Sequence, residues 1–222
     1  MATARDKHKN IWLLQLVLDL MNQPILEVLI EAWKVVRKIG RGLTDEGIYE
    51  VLEYETQLEL YDNQGKTVEF RKRQKVQYRQ NNIIAYQDQA WGDGDILIDY
   101  QCSPGQAVDY YRPDQKTFIL IALHDVKHKG DIDEFHIKWG ILNGFVRSME
   151  QWGTEISHKT RQLKIQIIFP KNRPPIHAWL VEQRTQGKHE LKPQQLADGR
   201  WHIQWETLKP HLHEQYILKW DW

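Results

Sequence analysis

The chain has one cysteine, Cys102, among 222 residues. No internal disulfide can staple it, which fits a reducing compartment. It has no excess of either charge, since 30 basic and 30 acidic residues cancel. Nucleic-acid binders normally carry a surplus of lysine and arginine, so nucleic acid is set aside as a partner. It also lacks an apolar run long enough to span a bilayer, which needs about twenty such residues. The longest goes only from Ile11 to Met21, and Asp19, Glu27 and Glu31 break any longer one. An integral membrane protein is therefore not expected. The first residues, Met-Ala-Thr-Ala-Arg-Asp-Lys-His-Lys, are polar with no cleavable leader behind them, and the expectation is a cytoplasmic protein.

Catalytic signatures are missing as well. There is no serine-nucleophile elbow, dinucleotide fingerprint or kinase-type set. Trp91-Gly92-Asp93-Gly94-Asp95 lacks both the twelve-residue calcium loop and the phosphate-loop lysine, so it reads as a turn. No local motif pairs Cys102 with a histidine. The chain is expected to be no enzyme and to use no cofactor.

What is present is β structure and aromatic mass. From Ile48 to Tyr78 two alternating segments flank Asp62-Asn63-Gln64-Gly65, a hairpin turn. Leu52, Tyr54, Thr56, Leu58 and Leu60 share one face against Glu53, Glu55, Gln57 and Glu59; Val68, Phe70, Val76 and Tyr78 oppose Glu69, Arg71, Arg73, Lys75 and Gln77. Matching the apolar faces leaves two registers, Leu60 opposite Lys66 or opposite Val68, and both set Glu53 and Glu55 against basic residues. Further strands are expected at 83–89, 96–100, 117–123, 163–169 and 176–182, with the last two around Ile203 and Leu218. Thr117 to Leu123 is apolar on both faces, as in a central strand. The region from Gly140 to Ser157 is ambiguous: Val146 to Trp152 fits a short helix, but Gly144 and Gly153 argue against one. The spacing predicts a mainly β fold, an antiparallel β-sandwich or barrel over 43–222, preceded by an N-terminal helical hairpin over 1–42.

In that N-terminal element Pro24 separates two helical runs, and Ile25, Leu29, Trp33, Val36 and Ile39 form one stripe. Its apolar surface is the expected contact for a protein partner or for self-association, with Trp12, Leu16, Leu20, Leu29, Trp33, Val36 and Arg37 carrying it. Lys34, Arg37 and Lys38 leave room for peripheral membrane contact.

Two other constellations compete. His124, His128, Asp131 and His136 surround an expected loop and are the candidates for a metal-dependent site, though three or four ligands must converge and nearby lysines oppose a cation. The ten tryptophans are either packed core or a stacking surface for glycans or nucleotides; Trp201, Trp205, Trp220 and Trp222 alternate with polar residues, which favours core.

Asp88-Gln89-Ala90-Trp91-Gly92-Asp93-Gly94, Lys129-Gly130-Asp131, Ile168-Phe169-Pro170 and the closing Tyr216-Ile217-Leu218-Lys219-Trp220-Asp221-Trp222 resemble an uncharacterised bacterial β-rich domain that accompanies regulators and signalling proteins. The resemblance implies a bacterial, cytoplasmic, accessory role and attaches no catalytic residue. The reading is a non-enzymatic interaction or regulatory module of a signalling or defence system. The alternatives are a tryptophan-using ligand-binding domain and a metal enzyme at the histidine loop.

Overall fold

The computed structural model describes residues 47–113 and 115–222. The helical element expected over 1–42 lies outside them, and so do Trp12, Leu16, Leu20, Leu29, Trp33, Val36 and Arg37. Every regular element among the described residues is a strand, and no helix among them is long and apolar enough to cross a membrane.

The hairpin forms β1 (Tyr49–Leu60) and β2 (Thr67–Tyr78) with Leu60 opposite Val68. The turn explains why that register wins. Asp62 accepts backbone N–H bonds from Gln64 at 2.7 Å, Lys66 at 3.1 Å and Thr67 at 2.6 Å. Burial pushes its carboxyl up, but these donors outweigh that and hold it below the usual range. Gly65 has φ +67, and a Cβ there would meet the Phe145 carbonyl oxygen at 1.7 Å, so only glycine fits. Glu53 and Glu55 do lie opposite Lys75 and Arg73, with Arg73 reaching Glu53 at 2.7 Å and Glu134 at 2.8 Å.

β1 sits at the centre of a seven-stranded sheet. In chain order its other members are β4 (Asp95–Ser103), β7 (Ile132–Leu142), β9 (Leu163–Phe169), β12 (Gln194–Gln195) and β13 (Trp201–Thr207), arranged β12-β13-β9-β1-β2-β7-β4. A second sheet orders β3 (Ile83–Ala90), β6 (Thr117–Lys127) and β5 (Gln106–Tyr111) with β6 in the middle, the central position its sequence indicates. The third runs β11 (Lys188–Glu190), β10 (His177–Glu182), β14 (Gln215–Asp221) and β8 (Met149–Glu155).

Three expectations change. No sheet closes among the described residues, so they do not build the barrel alternative. The pairing is not wholly antiparallel, because β9 returns to lie parallel to β1. Val146 to Trp152 is no helix; its second half is β8, where Glu150 and Thr154 face inward and Met149 and Gln151 outward, a period of two.

The seven-stranded sheet is covered on its inner face by both smaller sheets. Phe70 of β2 meets Trp152 of β8 at 5.4 Å, and Phe169 of β9 meets Trp220 of β14 edge-on at 5.7 Å. Trp220 is fully buried and also contacts Phe145 and Trp222. Trp205 meets Tyr216 at 4.9 Å with the rings tilted by 31°. Trp205 and Trp220 therefore pack inward, as their alternation indicates.

Trp220→Ala should cost about 3–5 kcal/mol in urea unfolding, the range for removing a large buried aromatic. Trp220→Phe should cost distinctly less, because the buried indole N–H has no partner among the described residues. Equal losses for both would place the energy elsewhere.

Candidate functional site

Three places bring chemistry together. The first is a buried polar seam between the seven- and three-stranded sheets. Lys72 and Gln74 lie on the core face of β2 in step with Phe70 and Val76, and both are buried. The Lys72 ammonium contacts the Asp88 carboxylate, whose side chain is wholly buried. Asp88 also accepts the Tyr100 hydroxyl at 2.9 Å and the Gln89 backbone N–H at 2.7 Å. Tyr86 donates to the Gln74 amide oxygen. Burial pulls the Lys72 ammonium down to about 7. Beside this seam His158 stacks on Tyr49, centroids 4.3 Å apart, and burial, with His213 nearby, pulls its imidazole down to about 4. The cavity here is about 60 Å³, room for water rather than a substrate.

The second place is the outer face of the large sheet. Gln57, Arg71, Lys138 and Gln101 lie in register across β1, β2, β7 and β4, with Gln166 beside Gln57 on β9. They line an open basin of about 440 Å³. Its guanidinium groups are already engaged: Arg71 with Glu59 and Glu69, Arg73 with Glu53, Glu55 and Glu134.

The third place is a groove of about 570 Å³ beside β8. One wall is the strand itself, Glu150 to Thr154. The opposite wall comes from the β3–β4 turn, at Trp91 and Asp93, and from Arg112, Gln115 and Lys116 before β6; Ile141, Phe145 and Arg147 also line it. The glycine-rich segment expected as a turn is indeed one, but it does not join a hairpin, since β3 and β4 belong to different sheets. Trp91 and Trp152 are half-buried, leaving part of each ring open to the groove. Lys116 sits 5.3 Å from the Trp91 ring and pairs with Glu155. Arg147 and Asp93 form an exposed pair at 3.4 Å. Glu150 is buried and accepts the Arg147 backbone N–H at 2.5 Å; burial pushes its carboxyl up.

The histidine loop does not assemble a metal site. His124 is exposed on β6, His128 is in the following turn with its backbone N–H held by Asp131 at 2.8 Å, and His136 is on the outer face of β7 beside Glu134 at 3.0 Å. Among the described residues no group of three or more histidine, cysteine or acidic side chains is placed to hold a metal ion. Alternation along β7 separates the ligands, because His136 belongs to a ladder face and not to the loop. Cys102 is half-buried and burial raises its thiol, so it is a poor nucleophile.

Sequence reasoning missed the Lys72–Asp88 pair and the groove. The parity of Lys72 on β2 was a usable signal; the groove left none, because its walls are distant in sequence.

No family model and no curated protein matches the chain. Among solved structures it is similar to an M1 zinc metallopeptidase from Deinococcus radiodurans, at 9% identity and TM-score 0.48, covering 77% of this chain and 42% of that one. It is also similar to a putative protease from Parabacteroides distasonis, at 10% identity and TM-score 0.50, covering 79% and 40%. The chain spans about two fifths of those proteins' length, and the second likeness extends to the fold alone.

Lys72→Ala should cost about 3–5 kcal/mol by leaving Asp88 buried and unpaired, whereas the double change Lys72→Met with Asp88→Leu should recover most of it. Additive losses in denaturant titrations would show that the pair is not coupled. His158 is neutral in the fold and titrates near 4, against 6.5 unfolded. Its contribution is therefore complete above pH 6.5, falls as the pH drops toward 4 and is level below, by at most about 3 kcal/mol. Melting curves of His158→Phe should lose that part of the decline; an unchanged pH profile would reject the assignment.

Proposed function

We propose that this chain is a protein-interaction module of a regulatory kind, built on a mainly antiparallel β-sandwich and working in the cytoplasm beside a bacterial signalling or defence system. The observation that supports this is the groove along β8, an open cleft walled by a strand edge, two partly open tryptophans and basic side chains. Its size suits a segment of a partner, and ligand sites fall in this range. The N-terminal helices expected from Ile11 to Ile39 supply a second contact in this reading.

A second reading is favoured by Trp91 and Trp152 specifically. Half-buried rings lining one cleft suit a sugar or a base as well as a peptide side chain. The two are separated by titrating the full chain with peptide, glycan and nucleotide panels while following tryptophan fluorescence. The expected outcome is saturable binding within the peptide panel, weakened by Trp91→Ala. Binding confined to glycans or nucleotides would transfer the assignment to the second reading, and silence in all three panels would remove both.

A further inference from the structure

The end of β1 farthest from the hairpin turn carries a dense charge cluster. Glu50 lies on the outer face of the seven-stranded sheet, opposite Gln77 of β2, yet only 4% of its side chain is exposed. Three cations cover it. The Arg79 guanidinium contacts its carboxylate, Arg161 Nε donates to it at 2.8 Å, and the Lys159 ammonium stands 3.9 Å away.

The backbone fixes this convergence. The Val51 N–H donates to the Lys159 carbonyl at 2.9 Å, and the Val51 carbonyl accepts the Arg161 N–H at 3.0 Å, a parallel bridge with Thr160 opposite Val51. Val51 and Thr160 are both buried, so alternation turns Lys159 and Arg161 to the other side, where Glu50 lies. Arg79 arrives from the end of β2, its N–H held by the Ile48 carbonyl at 2.8 Å.

The charges do not balance. One carboxylate neutralises one of the three cations, and among the described residues no other acid pairs with any of them. Glu53, the next acid along β1, is taken by Arg73 at 2.7 Å and Lys75 at 3.6 Å. Two positive charges are therefore left over at one point, although the whole chain is neutral. They are open to solvent, since the Lys159 side chain is 74% exposed and that of Arg161 59%. Arg161 uses only Nε on Glu50, so its two Nη groups have no partner among the described residues. Like charges held this close repel, and a bound dianion relieves that repulsion.

We infer that Arg79, Lys159 and Arg161 form a site for a doubly charged phosphoryl group. Its charge of about −1.5 to −2 at neutral pH matches the surplus, and its oxygens accept from the guanidinium forks and the ammonium. A nucleic-acid backbone, with one charge on each phosphate, calls for a row of cations, and this cluster is a point. The site shares no residue with the groove beside β8, so each stands or falls alone.

The probe is inorganic phosphate, titrated into the full chain at constant ionic strength with the Arg79 and Arg161 Nε–H signals followed by NMR. Saturable shifts are expected, and at about pH 5, where phosphate carries a single charge, affinity should drop by at least about threefold. Lys159→Gln and Arg161→Ala change exposed side chains and should weaken binding, the second by about tenfold or more. Glu50→Gln raises the surplus from two to three and should tighten binding by about threefold or more. Urea unfolding of each variant checks that the fold is kept. N-acetyl phosphoserine amide, titrated alongside, separates two sources of the group. Tighter binding than phosphate assigns it to a phosphorylated side chain, and equal or weaker binding assigns the free anion. Shifts that chloride reproduces at equal ionic strength, or affinities unmoved by Lys159→Gln and Arg161→Ala, overturn the site. Absence of saturation with both phosphate and phosphoserine overturns it as well.

Discussion

The inner face of the seven-stranded sheet has to be covered, and that requirement shapes the rest of the described chain. The face is not uniform. Toward the hairpin turn it presents Phe70, Leu58 and Leu60, and the four-stranded sheet covers it with Trp152 and Trp220. Toward the other end β2 presents Lys72 and Gln74, and the three-stranded sheet answers with Asp88 and Tyr86. A buried ammonium without a partner would cost several kcal/mol, so only a cover carrying a carboxylate at that point is compatible. Two chemically distinct halves of one face thus require two distinct covers.

The groove follows from that division. Two sheets that cover one face side by side meet along a seam, and here they are tied at one end by Lys116 with Glu155 and by Gln89 with Ser157 at 3.2 Å. Further along they part, and the free edge of β8 faces the Trp91 turn across the gap. The exposed side of that strand is a consequence of covering a large sheet with two small ones. The seam at Lys72 and Asp88 plays a different part: it is closed, too small for a substrate, and fixes which cover sits where.

Alternation was enough to place β1, β2, β9 and β14, because a strand half in water must repeat every two residues. The turn at Asp62 to Gly65 and the ion pairs of Glu53 and Glu55 were equally legible, since hairpin partners are close in sequence. Trp205 and Trp220 were readable as core from the same period. The polarity of Lys72 hides its place: on β2 it occupies a core parity that only a carboxylate from another sheet satisfies.

The sequence by itself determined the β character of the described residues, the hairpin and its two allowed registers, and the inward packing of Trp205 and Trp220. These depend on local sterics and on a period of two, which each segment carries alone. Tertiary structure decided the parallel return of β9 onto β1, the parting of β3 from β4 into separate sheets, the dispersal of His124, His128 and His136, and the open edge of β8. Those are relations between segments far apart in the chain, and a strand's period says which face is buried but not which strand lies beside it.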